Sequence, residues 1–174
     1  GKAYNCEIIN IEEKYVDTKI LKELKEEKNN ILVDIYQGIP KSDKMELIIQ
    51  KSVELGVNAI IPVAMKRCVA KIEPKDENKK IERWQKISES AAKQSGRTII
   101  PEVRKIVTIQ DIAKLTEQYD SVIVAYENEK QNTIKKELLK LKNKEQVKIA
   151  VVIGPEGGLE DNDVKLLKEV GANI

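Results

Sequence analysis

Apolar and polar positions alternate in two rhythms along this chain. Short apolar runs of strand length recur at residues 31–36, 59–63, 121–126 and 147–153, separated by stretches in which apolar residues return every three or four positions. The first helical stretch covers 44–55, with Met45, Ile48, Ile49, Ser52 and Val53 on one face and Gly56 placed to close it in a left-handed conformation. The longest covers 79–95, where Ile81, Trp84, Ile87, Ser88, Ala91 and Ser95 share a stripe and Gly96 follows. Further helices are predicted over 109–118 with Thr108 as N-cap, over 133–141, and over 159–170 with Gly171 as the stop. Pro62 puts the second run near a sheet edge or at a strand end. Residues 172–174 read as the start of one more strand. This alternation predicts an α/β fold, a mostly parallel sheet with helices on both faces.

Residues 1–29 do not follow the pattern. A β-like piece, Tyr4–Ile11, precedes a lysine- and glutamate-rich stretch over 19–28, and together they are too few to bury a core of their own. With 174 residues and 41% hydrophobic content, the chain holds one ordinary domain and a small appendage, and it needs neither disulfides nor a structural metal to fold.

Composition narrows the chemistry. The chain has no His, which excludes Ser-His-Asp and Cys-His triads, an HExxH zinc site and a histidine general base. Cys6 and Cys68 form no CxxC pair, so no metal site is expected, and this cysteine usage fits a reducing cytoplasm. Cys68 is flanked by Lys66 and Arg67, but a buried, inert thiol is the simpler reading. The apolar runs fall well short of the ~20 residues that span a bilayer, so no membrane partner is expected.

Charge is balanced overall, 31 basic against 29 acidic residues, but not locally. Residues 66–105 carry twelve basic side chains against six acidic ones, whereas from Gly154 onward five acids face two lysines. Such segregation suits a chain that meets a polyanion with one region only, and a solvated basic face is the other reading.

The most informative segment is the strand-like run Val147–Ile153, followed by Gly154-Pro155-Glu156-Gly157-Gly158 and then a helix. A strand, a glycine-rich turn and a helix N-terminus present backbone N–H groups at the carboxyl edge of a sheet, where α/β proteins bind ligands. The loop satisfies neither GxGxxG nor GxxxxGK[ST], which disfavours a nucleotide-dependent oxidoreductase. Glu156, Glu160, Asp161 and Asp163 would repel a polyphosphate. S-adenosylmethionine, with a sulfonium and no phosphate, suits the loop better. A structural glycine turn stiffened by Pro155 is the competing reading.

Three separated motifs in order carry a resemblance: Lys44-Met45-Glu46 through Gln50-Lys51-Ser52-Val53-Glu54-Leu55-Gly56-Val57; Arg83-Trp84-Gln85-Lys86-Ile87 with Ala91-Ala92-Lys93-Gln94-Ser95-Gly96-Arg97; and Ile153-Gly154-Pro155-Glu156-Gly157-Gly158. With these the chain resembles the ribosomal RNA small subunit methyltransferase E family, 16S rRNA uracil-N3 methyltransferases of the trefoil-knotted SPOUT class. The resemblance implies a SPOUT-type trefoil-knot domain over 30–174, truncated before its final knot segment, and over 1–29 the closing part of a PUA-like β-barrel. It implies a cytoplasmic homodimer that uses S-adenosylmethionine to methylate N3 of one uridine in the 16S rRNA of the small ribosomal subunit.

By the same likeness, Ala125, Tyr126 and Glu127 at one strand end, and Ile153, Gly154, Pro155, Glu156, Gly157 and Gly158 at the next, form cofactor-binding loops. Lys44, Lys51, Arg67, Lys93, Gln94 and Arg97 match positions on the nucleic-acid side. The family's catalytic segment would follow Ile174, so no residue here inherits a catalytic role, and a non-catalytic RNA-binding module of the same fold is the alternative. Few aromatics, 3% of the chain, point to recognition of folded RNA by shape and backbone. Trp84, on an apolar stripe, reads as core or dimer packing, and Glu54 reads as structural.

Overall fold

A computed structural model describes residues 2, 4–24, 29–130 and 132–174. In chain order the elements are strands β1 (Tyr4–Ile11), β2 (Val16–Glu23) and β3 (Ile31–Gly38), helix α1 (Lys44–Leu55), strand β4 (Ala59–Ala64), helix α2 (Pro74–Gln94), and the short strands β5 (Glu102–Val103) and β6 (Val107–Thr108). Helix α3 (Ile109–Leu115) follows, running into a 3-10 turn at Thr116–Gln118, then strand β7 (Ser121–Ala125), helix α4 (Ile134–Leu139), strand β8 (Val147–Ile153) and helix α5 (Asp161–Glu169).

The main sheet has the order β5-β4-β3-β8-β7, with β6 also on β4, and every pairing in it is parallel. The expected helices lie on both faces. On one face α1 and α2 bury Met45, Ile49, Val53, Trp84, Ala91 and Ala92 against Ile60 and Val103 of the sheet. On the other, α3 and α5 pack Ile109, Ile112 and Leu167 against Tyr36, Ile61, Val63, Val124 and Val152. Trp84 and Cys68 are both core residues, the first as its apolar stripe implies and the second in spite of the adjacent Lys66 and Arg67. The anticipated strand after α5 is realised as a single parallel bridge between Asn173 and Ile123 on the outer side of β7.

Several boundaries differ from expectation for local reasons. Helix α2 begins at Pro74, five residues early, because proline at the first turn has no N–H to lose and Asp76 and Glu77 complement the helix dipole. Helix α5 begins only at Asp161, because Leu159 leaves the helical path to be buried in the core. Pro62 lies inside β4, a strand paired on both sides, instead of at an edge. Ile60 O accepts from Arg104 N, so Pro62, two residues on, turns its donor-free nitrogen to the same side, where the ladder is interrupted between β5 and β6. Thr108 does cap α3, in a full capping box with Asp111. Strand β2, concealed among lysines and glutamates, pairs antiparallel with β1 as an exposed hairpin. Residues 25–28 of that charged stretch lie outside the described residues.

One carboxylate is fully buried in the main sheet. Asp34 on β3 accepts from Asn58 Nδ2 at 2.6 Å, Tyr119 Oη at 2.8 Å and Arg104 Nη1 at 3.3 Å. Since Tyr119 gives its proton to Asp34, the 2.8 Å contact between the two phenols is donated by Tyr36. Burial raises both phenols above their usual 10.0, so they stay protonated donors. The cluster ties the turn after β5 and the segment before β7 to the centre of the sheet. Asp34→Ala leaves Arg104 and Asn58 without their buried acceptor and is expected to cost about 3 kcal/mol, read as a lower urea midpoint with an unchanged slope.

Candidate functional site

Strand order places the site. The connections from β3 and β8 leave to opposite sides of the sheet, so the carboxyl ends of these neighbours form the point where an open parallel sheet splits to admit a ligand. The glycine loop follows β8 there. Gly158 N donates to Pro155 O at 2.8 Å, and Gly158 has φ +70, which closes a tight turn before Leu159. A Cβ on Gly154 would lie 3.0 Å from the Gly158 carbonyl carbon, so the loop folds back on its own backbone.

The β3 side of this split is filled by protein. A Cβ on Gly38 would stand 2.7 Å from Pro155 Cδ and N, and Gln37 Nε2 donates to Gly38 O and, at 3.3 Å, to Gly154 O. Beyond Gly38 the chain turns through Ser42, whose φ of 54 is a left-handed value, into α1. Lys41 N and Lys44 Nζ both donate to the Glu156 carboxylate, the latter at 2.8 Å. Arg67 Nη1 donates to Gly157 O at 3.0 Å, and Lys66 pairs with Glu160 at 3.2 Å. These partners are exposed, so the loop is gripped from the solvent side.

On the β7 side there is open space. A cavity of about 420 Å³ is lined by residues 123–127, Glu129, Asn132, Thr133, Ile134, Glu137, Asn173 and Ile174. Ala125, Tyr126 and Glu127 therefore join two features. All three line this cavity, and the last two reach the glycine loop and α5: a Cβ on Gly158 would meet Glu127 Oε1 at 2.7 Å, and Tyr126 Oη donates to Asp161 Oδ1 at 3.1 Å. Asn132 Nδ2 donates to Ile174 O, while its buried Oδ1 has no partner among the described residues. An acceptor without a donor beside a cavity suits a ligand that brings an N–H or O–H.

The two loops predicted to hold a cofactor are thus adjacent. The six basic and amide positions expected to face RNA are not. Lys44 and Arg67 sit at the glycine loop, at the carboxyl edge of the sheet. Lys93, Gln94 and Arg97 lie beyond the other ends of the helices, and at about 1.5 Å per residue the 12-residue α1 puts the two groups some 18 Å apart. Lys51 pairs with Glu54 on α1. Arg97 is committed too, because its Nε and Nη2 donate to Glu54 O at 3.3 and 2.7 Å, capping α1 with the guanidinium pressed on Gly56. Lys93 and Gln94 are exposed at the end of α2. Near them a cleft of about 1120 Å³, lined in part by Asn30, Asn58, Arg97 and Thr98, opens at the amino edge of the sheet. The grip of Lys41, Lys66 and Gln37 on the loop left no trace in sequence spacing, and Gly38 at a strand end was the one available sign.

The model of the RNA methyltransferase domain family matches residues 26–174, which include both loops and every strand of the main sheet. The chain belongs to this family. Its sequence is 36% identical over 172 residues to ribosomal RNA small subunit methyltransferase E of Bacillus subtilis, covering 97% of this chain and 67% of that protein. It is 30% identical over 172 residues to the enzyme of that name from Aquifex aeolicus, covering 98% of this chain and 71% of that protein. Against the one from Mesomycoplasma hyopneumoniae, also 30% identical, the chain spans 60% of the protein's length. Among solved structures, methyltransferase E of Neisseria gonorrhoeae bound to S-adenosyl methionine superposes with a TM-score of 0.78 at 28% identity, over 99% of this chain and 69% of that one. A putative methyltransferase of Legionella pneumophila in complex with the same cofactor gives 0.77 at 28% identity, again over 99% and 69%. The relatives are named as enzymes, which does not favour a non-catalytic module.

In this methyltransferase domain the contacts to Glu156 have an electrostatic consequence. Lys44 beside it, with backbone N–H groups, lowers its carboxyl from the usual 4.5 to about 2. A depressed acid supports the fold above its unfolded pKa and loses that support as pH falls through the folded value. Glu156→Gln is therefore expected to lower stability slightly near neutrality, to flatten the acid limb between pH 4.5 and about 2, and to match the unaltered protein below that range. Thermal unfolding scans across that range check it.

Proposed function

We propose that this chain is the cofactor-binding part of an enzyme that transfers a methyl group from S-adenosylmethionine to N3 of a uridine in 16S rRNA of the small ribosomal subunit. The observation that carries the reading is the pair of adjoining strand-end loops, 125–127 and 154–158, beside a cavity with an orphaned acceptor at Asn132 Oδ1. Residues 125–127 and the backbone of 153–158 would hold the cofactor, which supplies an electrophilic methyl group when bound. Glu156 and Glu160 are paired with Lys44 and Lys66, and Asp161 and Asp163 add negative charge beside the loop, which favours a ligand whose reactive end is cationic.

The chemistry matches a chain without histidine. Uracil N3 carries a proton at neutral pH and attacks only once that proton is lost, so the enzyme must favour the anion by a base or by a cation near the developing oxyanion. The methyl then passes directly from sulfur to nitrogen, and the chief task of the protein is alignment. No covalent nucleophile is required. A uridine N3 within rRNA brings a phosphate backbone with it, and the basic region over 66–105 suits that partner.

The reading extends to the knot, to homodimerisation, to a cytoplasmic setting and to a PUA-like barrel that includes residues 1–29. Leu47 and Leu55, 57% and 86% exposed on α1, support a paired surface. The hairpin, with Ile8, Ile11, Val16 and Ile20 all exposed, supports a further barrel partner. No helix among the described residues is long and apolar enough to cross a membrane.

Calorimetry with the full-length protein should show S-adenosylmethionine binding, and nucleoside mass spectrometry of 16S rRNA incubated with both should show 3-methyluridine. Binding of NAD without S-adenosylmethionine would overturn the assignment. Within the RNA footprint, Lys93→Ala should reduce the slope of log affinity against log salt by about 1. Arg97→Ala should instead lower stability by about 1 kcal/mol through the lost α1 cap, detected by urea denaturation.

A further inference from the structure

A five-residue loop with glycine at three positions has many conformations to choose from, and Pro155 restricts only one φ. Something else must select the conformation that lies against Glu127 and Tyr126. The contacts on the β3 side of β8 are the candidates, and Glu156 is their centre. Its two carboxylate oxygens receive the Lys41 N–H at 3.2 and 3.3 Å, and one also receives Lys44 Nζ at 2.8 Å. The cavity lies on the other side of β8, beyond β7, and Glu156 is not among its lining residues.

Glu156 thus belongs to the motif predicted to touch the cofactor, yet its side chain is committed to the turn between β3 and α1. That turn is itself constrained, by Ser42 in a left-handed conformation and by Gly38 in contact with Pro155. We propose that Glu156 is a positioning residue: clasped by Lys44 and the Lys41 N–H, it fixes the glycine loop from the β3 side so that the opposite side of the loop presents its backbone to the cofactor. The inference rests on the proposed cofactor assignment and adds a role for two side chains otherwise read as ligand contacts, Glu156 toward the cofactor and Lys44 toward RNA.

The clasp is exposed, so each pair within it is weak and sensitive to salt. Its effect on the ligand is correspondingly modest and has a recognisable signature. With the full-length protein, Glu156→Ala and Lys44→Met should each weaken S-adenosylmethionine binding about fivefold at low salt. The double variant should be no weaker than Glu156→Ala, since both remove one clasp. Glu156→Gln, which still accepts from the Lys41 N–H, should recover part of the loss, and Glu156→Ala should show a shallower salt dependence than the unaltered protein.

Amide hydrogen exchange in the ligand-free protein supplies an independent reading. The Gly158 N–H, bonded to Pro155 O, should exchange faster in Glu156→Ala. Unchanged exchange at Gly158, or losses that add in the double variant, would overturn the positioning role. If the unaltered protein binds no S-adenosylmethionine, the cofactor assignment fails, and the exchange comparison still decides whether Glu156 holds the loop.

Discussion

The parallel pairing of residues 31–37 with 147–153 is the contact on which the rest of the site depends, because it joins two segments more than a hundred residues apart in the chain. Both strands are apolar enough to be covered by helices on each face, and neither could be stable as an edge. Once they lie side by side, the turn after β3 and the glycine loop after β8 emerge together. The glycines at 38 and 154 permit an approach of backbone to backbone that any side chain would prevent. Hydrophobic burial sets this geometry, and the polar contacts of Gln37, Lys41, Lys44 and Arg67 refine it.

Charge serves two purposes in this molecule, and burial separates them. In the sheet, Asp34 is fully enclosed and must have its hydrogen-bond partners, so Asn58, Arg104 and Tyr119 converge on it from three different connections. At the carboxyl edge the same kinds of ions meet in solvent, where each pair contributes little and can be exchanged for another partner. The first cluster specifies how the outer connections dock. The second leaves the cations near the glycine loop open to competition from any polyanion that arrives there.

The four longer strands of the main sheet and its helices were legible because each has its own period and punctuation, whereas β5 and β6, two residues each, were not. Lys44–Leu55 ends at Gly56 with φ 92, and Thr108 caps α3, as their local chemistry dictates. Boundaries that depend on long-range packing were less legible. Leu159 is drawn into the core and delays α5, and β2 forms within a charged stretch because β1 is available as its partner. In the site, the two loops could be read from strand ends and glycines. The division of the basic residues into two groups follows from the parallel class, since each helix starts at the carboxyl edge of the sheet and ends at the amino edge; the carbonyl that Arg97 caps and the carboxylate that Lys44 pairs with could not be read.

Arg97 shows the boundary between the two kinds of information. Its position after a helix stop, its charge and its family context are all local facts, and they suited a hand extended toward phosphate. Only the packing of α1 on α2 brings the Glu54 carbonyl within 2.7 Å of its guanidinium and commits it to a cap. The sequence by itself determined the longer elements of the main sheet, the parallel α/β class and the two loops at its strand ends, because these follow from periodicity and backbone preference over a few residues. The tertiary structure decided which charges pair, which side of the glycine loop is gripped and which is open, because ion pairs are satisfied by whatever folding brings within reach.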